Sequence, residues 1–362
     1  MNRLRHSKIL IIVVFAVLLL AIPMSLPGAK KLVTNIIAPL ISPPTTVATS
    51  VDMSLARGEK LVGICLPEES VWKTAGEQLK SQLVSLGYQV KLVYSDGTAQ
   101  KQNAQLLELI QENADCLVVA PVDSVLMTDA AEAALKKNIP ILSYGSLLMD
   151  TEATAGYICY DYEKMGAAAA EFVVDKLKLD TAKAESRVHT VELFMGAPED
   201  YNAVQFYNGV FSVLDPYRKD GVLEFKSHRT TFESCCIYDW SSANAQAACT
   251  KRLTSYDKDS APDACICASD NIAAGVIASL DEAGKTSLVT GNGNTDVGKT
   301  NMAAGKQQMS FNTNLDESAV ACAAMVDWVL FAITPGLNMG EVSNNAATIP
   351  TALCGFTPIN NE

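Results

Sequence analysis

Cys116-Leu117-Val118-Val119-Ala120-Pro121-Val122-Asp123, an amphipathic stretch over 124–137, and then Pro140-Ile141-Leu142 make up the segment from which the fold can be read. The two apolar runs are short and unbroken rather than alternating, as in strands covered on both faces by helices. The stretch between them is long enough for a crossover helix, and Asp123 is placed to start it. Strand, helix and second buried strand in that order describe a parallel βαβ unit.

The pattern repeats along the chain. Strands are expected at 60–66, 89–94, 115–120, 140–144, 156–160, 189–195, 222–226, 263–267, 286–290 and 308–311. Helices are expected at 70–86, 100–113, 124–137, 163–178, 202–215, 242–255, 270–283, 296–305 and 315–333, with Asp270 and Asn314 placed as start signals. This alternation is too long for one doubly wound sheet, so two are expected. The fold class is α/β.

The chain has 362 residues, 49% of them apolar and 19% charged, a globular and not a disordered composition. With 28 basic and 40 acidic residues it carries a net charge of −12, which argues against a nucleic-acid partner. The N-terminus is the exception. Arg3, Arg5 and Lys8 precede an apolar run from Ile9 to Ile22, and no acid occurs before Asp52. This is a targeting signal at residues 1–29, either a cleaved signal peptide or an uncleaved membrane anchor over 9–26. The basic residues stay on the cytoplasmic side and the body lies outside, in the periplasm or on the outer face of the membrane. Residues 30–57, with Pro39, Pro43 and Pro44, read as a linker.

Ten cysteines do not form a framework. Cys65, Cys116, Cys159, Cys265 and Cys267 sit inside apolar strand-like runs and read as small core residues. No paired spacing of a zinc site occurs, and no metal or cofactor is expected. Cys235-Cys236 is the one pair that raises redox or metal chemistry.

Gly293-Asn294-Thr295-Asp296-Val297-Gly298-Lys299-Thr300 matches the phosphate-cradling loop. The following helix is short, and only 62 residues remain after Thr300, too few for a nucleotide-binding core in the usual order. Catalysis has little else behind it. The body holds only His189 and His228, no serine sits in a nucleophile elbow, and no catalytic residue is assigned. Trp72, just past the first strand, lies at the carboxyl end where such sheets bind ligands. Its face could stack on a sugar ring or pack on helix 70–86. Trp240 and Trp328 read as structural.

Glu192-Leu193-Phe194-Met195-Gly196-Ala197-Pro198-Glu199-Asp200-Tyr201-Asn202-Ala203 and Phe206-Tyr207-Asn208-Gly209 resemble the sugar-binding proteins of bacterial ABC importers. The nearest type is the multiple-monosaccharide-binding and xylose-binding group. Ala120-Pro121-Val122-Asp123, Asp239-Trp240 and Ala268-Ser269-Asp270-Asn271 follow the same pattern, so the likeness runs from about Lys60 to Gly336. It implies two Rossmann-like lobes joined by three crossovers that close on a ligand. The first lobe would be 58–161 with 313–342, the second 162–312 with 343–362.

The resemblance also implies ligand-binding positions, and most are altered. The aromatic on the first loop is kept as Trp72, but the arginine before it is Val71. An Asp-Arg pair after strand 140–144 is Gly145-Ser146, and an Asn-Asn pair after strand 189–195 is Tyr201-Asn202. A carboxylate is kept as Asp270, a Gln-Asp pair is Asn292-Gly293, and a lysine near the last crossing is Asn312. Each buried charge-assisted hydrogen bond lost would cost about 1.5–3 kcal/mol, so a changed ligand is expected rather than the usual aldose in its usual pose. The implied function is non-catalytic capture of a small solute, a sugar or sugar derivative, for an ABC permease. Two alternatives stay open: a ligand-sensing component with an altered pocket presented to a membrane sensor kinase, and an enzyme.

Overall fold

A computed structural model describes residues 53–68 and 70–360. Helix α1 (Met53–Gly58) precedes the first lobe, which runs β1 (Leu61–Pro67), α2 (Ser70–Ser85), β2 (Gln89–Ser95), α3 (Ala99–Gln111), β3 (Cys116–Val119), α4 (Thr128–Lys136), β4 (Ile141–Tyr144) and β5 (Thr154–Tyr160). The chain then crosses into the second lobe: α5 (Tyr162–Leu177), β6 (His189–Phe194), α6 (Tyr201–Lys219), β7 (Leu223–Glu224), α7 (Ser242–Leu253), β8 (Ala264–Cys267), α8 (Asp270–Glu282), β9 (Leu288–Thr290), α9 (Asp296–Ala303) and β10 (Met309–Thr313). It returns through α10 (Leu315–Phe331), β11 (Met339–Ser343) and β12 (Thr348–Cys354), and ends on β13 (Phe356–Asn360).

The first sheet has the order β11-β12-β5-β4-β3-β1-β2 and the second β13-β10-β9-β8-β6-β7. All pairings are parallel except the two made by the edge strands β11 and β13. Strands β3 and β8 are buried at every position, as expected of strands with helices on both faces. The fold is therefore α/β with two Rossmann-like lobes.

The last crossing differs from the expected one. Strand β12 pairs with β5, so residues 348–354 stay in the first lobe and only 356–360 join the second sheet, against β10. The three C-terminal strands carry weak signals. Strand β11 is a half-exposed edge, and β12 contains Pro350, which faces β11 at Glu341. The crossings are tied together: the Tyr160 hydroxyl donates to the Asn314 carbonyl at 3.1 Å, and the Gly355 amide donates to Glu317 at 2.8 Å.

Helices α5 and α6 approach closely. A Cβ on Gly166 would lie 2.0 Å from the Phe206 carbonyl oxygen, and one on Gly209 would lie 1.9 Å from that of Glu163. The expected start of α4 also moves. Asp123 Oδ1 accepts from the Val125 and Leu126 amides, making a turn, and the helix begins only at Thr128. Ser269 rather than Asp270 caps α8, through its hydroxyl to the Ile272 amide, while Asn314 caps α10 as expected.

The targeting segment and most of the expected linker lie outside the described residues. Its last residues form α1, docked on the first lobe by Arg57, whose guanidinium donates twice to Asp327 at 2.8 and 2.6 Å. Among the described residues no helix is long and apolar enough to cross a membrane.

Candidate functional site: a cleft between two indoles

The carboxyl ends of the parallel strands place loops after β1, β3, β4 and β6 around one space. A cavity of about 300 Å³ there is lined from the first lobe by Trp72, Asp123, Ser124 and Ser146, and from the second by Glu199, Asp200 and Trp240. It lies at the small end of ligand pockets, suiting a single ring. A second cavity of about 250 Å³ shares Trp72, Ser146 and Asp200 and adds Tyr144, Tyr160, Tyr162 and Asn202. A third, also about 250 Å³, lies beside the first crossing and is lined by Tyr201, Asn202, Glu163 and Glu341.

Each indole rests on a glycine. A Cβ on Gly145 would lie 2.6 Å from Trp72 Cη2, and Gly145 has φ +73°, the left-handed region that favours glycine. A Cβ on Gly196 would lie 1.9 Å from Trp240 Cζ2. Trp72 also meets Tyr144 edge to face, with centroids 6.4 Å apart. The first residue after β4 is therefore a glycine because a side chain there would displace the first indole. Trp240 itself has φ +58°, a strained conformation for a bulky residue and the kind that clusters at ligand clamps. The structure therefore assigns Trp240 to the cleft and not to the purely structural place expected from sequence.

Asn202 spans the lobes. Its Nδ2 donates to the Gly145 carbonyl at 2.6 Å, and its Oδ1 accepts from the Tyr157 hydroxyl at 2.7 Å. Both partners belong to the first lobe. Asp200 caps α6 by accepting from the Asn202 amide at 2.9 Å. Burial pushes its carboxyl up to about 6, against the backbone amides of Asn202 and Ala203, which pull it down.

Of the seven positions implied by the resemblance, Trp72, Ser146 and Asn202 meet in these cavities, and Tyr201 lines the neighbouring one. Asp270, Asn292 and Asn312 line none of the three. Asp270 is fully buried inside the second lobe. Its carboxylate accepts from Thr295 N and Oγ1 at 2.8 and 3.1 Å, from Gln307 Nε2 at 2.8 Å and from Ser310 Oγ at 2.8 Å. Asn292 holds the Asp270 amide through its carbonyl, and exposed Asn312 accepts from Asn294 at 3.2 Å.

The same carboxylate accounts for the loop at 293–300. Gly298 packs on Asp270 so closely that a Cβ would lie 2.2 Å from Oδ2, and Thr295 turns both its amide and its hydroxyl onto it. The loop wraps an internal anion where a nucleotide-binding loop would wrap phosphate. Lys299 is exposed and pairs with Asp296 at 3.6 Å.

The Cys235-Cys236 pair carries no accessible thiolate. Cys235 is buried, and desolvation pushes the half-buried Cys236 up to about 12. His189 sits in a strand, 3.5 Å from Asp263, and neither it nor His228 lines the cleft.

The residues missed in the sequence are Asp123, Glu199, Asp200 and Trp240. Asp123 and the Glu199-Asp200 pair follow strands at their carboxyl ends, the same signal that marks Trp72.

Residues 62–330 match the family model described as periplasmic binding protein domain. The multiple sugar-binding periplasmic protein SbpA of Azospirillum brasilense is 29% identical, over 85% of this chain and 87% of its own length. The multiple sugar-binding periplasmic receptor ChvE of Rhizobium radiobacter is 28% identical, over 86% and 90%. Among solved structures, an ABC transporter solute-binding protein from Clostridium phytofermentans with bound β-D-glucose is 31% identical. It superposes with a TM-score of 0.77 over 83% of this chain and 94% of its own. The match runs from β1 of one lobe, through β6–β10 of the other, to α10 of the first, and the chain belongs to the periplasmic binding protein family.

Proposed function

We propose that this protein captures a monosaccharide or monosaccharide derivative outside the membrane, without chemical change, and delivers it to an ABC importer. The observation that carries the reading is the pair of indoles, Trp72 from one lobe and Trp240 from the other, lining one ring-sized cavity. Sugar rings present apolar faces that stack on indoles, while their hydroxyls need polar groups at the edge, here Ser124, Ser146, Asp123 and Asp200. A ligand touching both lobes stabilises their closed arrangement over any open one, which is the only way binding can drive closure. The sugar-binding relatives support the ligand class. The basic, apolar N-terminus supports an extracytoplasmic location, reached through a signal peptide or held by an anchor.

The test is thermal unfolding of the full-length chain, kept in a detergent without a sugar headgroup, against monosaccharides, disaccharides, polyols and nucleosides. A ligand at 100 times its Kd stabilises by about 2.7 kcal/mol, a shift of roughly 5 °C for a protein of this size. A shift with monosaccharides that is lost in Trp72→Ala and Trp240→Ala supports the reading. No shift with any sugar overturns it and favours the alternative of a sensory protein with an altered pocket.

A further inference from the structure

The three cavities described above are lined by acids and by no base. The space between the indoles takes Asp123, Glu199 and Asp200, and the one beside the crossing takes Asp161, Glu163 and Glu341. Neither these two cavities nor the one joining them is lined by a lysine, arginine or histidine. The lysines that follow Trp72 and Glu163 in the chain are already engaged, Lys73 with Glu68 at 3.5 Å and Lys164 with Asp161 at 2.7 Å. The cleft is therefore rich in acceptors, and its side-chain donors are uncharged: hydroxyls, indole N–H groups and the amides of Asn202 and Gln205.

Such a lining discriminates among sugars. A neutral hydroxyl can donate to a carboxylate, but a ligand carboxylate or phosphate would meet like charge and no cation. An ammonium group gains from both features of the cleft: charge-assisted hydrogen bonds to the carboxylates, and the faces of two indoles, the best aromatic partner for a cation. The strained backbone of Trp240 holds its indole at the cavity wall.

We propose that the cleft selects a sugar bearing a free ammonium group, an amino sugar, over its neutral and anionic counterparts. This rests on the sugar-capture reading above and adds the charge of the ligand to it.

The experiment is calorimetric titration of the full-length chain, in a detergent without a sugar headgroup, with D-glucosamine, D-glucose, N-acetyl-D-glucosamine and D-glucuronate at pH 7. Glucosamine is expected to bind at least tenfold more tightly than glucose at 20 mM salt. N-acetylglucosamine, whose amine is capped, should show no such advantage, and glucuronate should not bind. The glucosamine preference should shrink about threefold by 500 mM salt, because Glu199 is exposed and its charge is screened. In the double variant Glu199→Gln with Asp200→Asn, it should fall to within about threefold of unity; asparagine keeps the helix cap, so the fold is expected to survive. Glucose binding as tightly as glucosamine, or a preference unchanged in the double variant, overturns the proposal while leaving sugar capture intact. Absence of binding by all four, together with a flat thermal panel, overturns both.

Discussion

Asp270→Asn separates a ligand-gripping carboxylate from a structural one. The family resemblance makes Asp270 a ligand contact; the structure buries it among Thr295, Gln307 and Ser310. A hydrogen bond to a charged group contributes about 1.5–3 kcal/mol against about 0.5–1.5 for a neutral pair. Four bonds losing about 1 kcal/mol each give about 4 kcal/mol. The new NH₂ group can at best face the Ser310 or Thr295 hydroxyl, which can turn to accept, while the Thr295 amide cannot. Against this, a neutral amide is cheaper to bury than a carboxylate, which returns roughly 1 kcal/mol. The net expectation is a loss of about 3 kcal/mol, or roughly 6 °C in Tm for a protein of this size. Urea unfolding followed by circular dichroism gives the stability, and titration of the folded variant gives its affinity. Stability should fall by that amount while Kd changes less than about threefold. A tenfold weaker Kd with unchanged stability would refute the structural assignment and return Asp270 to the ligand.

Three further outcomes follow from named contacts. Arg252→Met should cost about 3–5 kcal/mol by urea titration, because Arg252 lies 3.7 Å from the fully buried Glu192 and caps the Leu193 carbonyl, so its loss leaves a buried charge uncompensated. Gly209→Ala should cost about 3 kcal/mol or more, since its Cβ would meet the Glu163 carbonyl oxygen at 1.9 Å and backbone cannot step aside cheaply. Asp200 sets a pH dependence: burial raises its folded pKa to about 6, above the ordinary carboxyl value, so the folded state binds the proton more tightly than the unfolded state. Its contribution is full below about pH 4 and is lost as pH rises through about 6; that slope in stability between pH 4 and 6 should be smaller in Asp200→Asn.

Much of the lobe architecture is legible in the sequence because buried parallel strands advertise themselves. Runs such as Cys116–Val119 and Ala264–Cys267 have no polar interruptions, and the helices between them carry caps. What escaped are elements whose local signal contradicts their place. Strand β12 contains Pro350 yet joins a central position beside β5, and its partner β11 is a polar edge. The site was legible in part. Trp72 could be placed because it follows a strand directly, but Trp240 gave no such cue, since it reaches the cleft through an irregular segment held by a bridge between Met195 and Cys236. Asp270 misled because a carboxylate at a strand's carboxyl end fits either role. Only Gly298 and Thr295, 28 and 25 residues further on, reveal which one it plays.

A ligand held between Trp72 and Trp240 alters the surroundings of both indoles, and tryptophan fluorescence reads that change. The third indole, Trp328, lies on α10 and packs against the core. Titration with the sugar that stabilises the chain most should change the emission of the wild type. Trp72→Phe and Trp240→Phe should each lose part of that change, and the double variant nearly all of it. A change that persists undiminished in the double variant would place the ligand outside the cleft between the indoles.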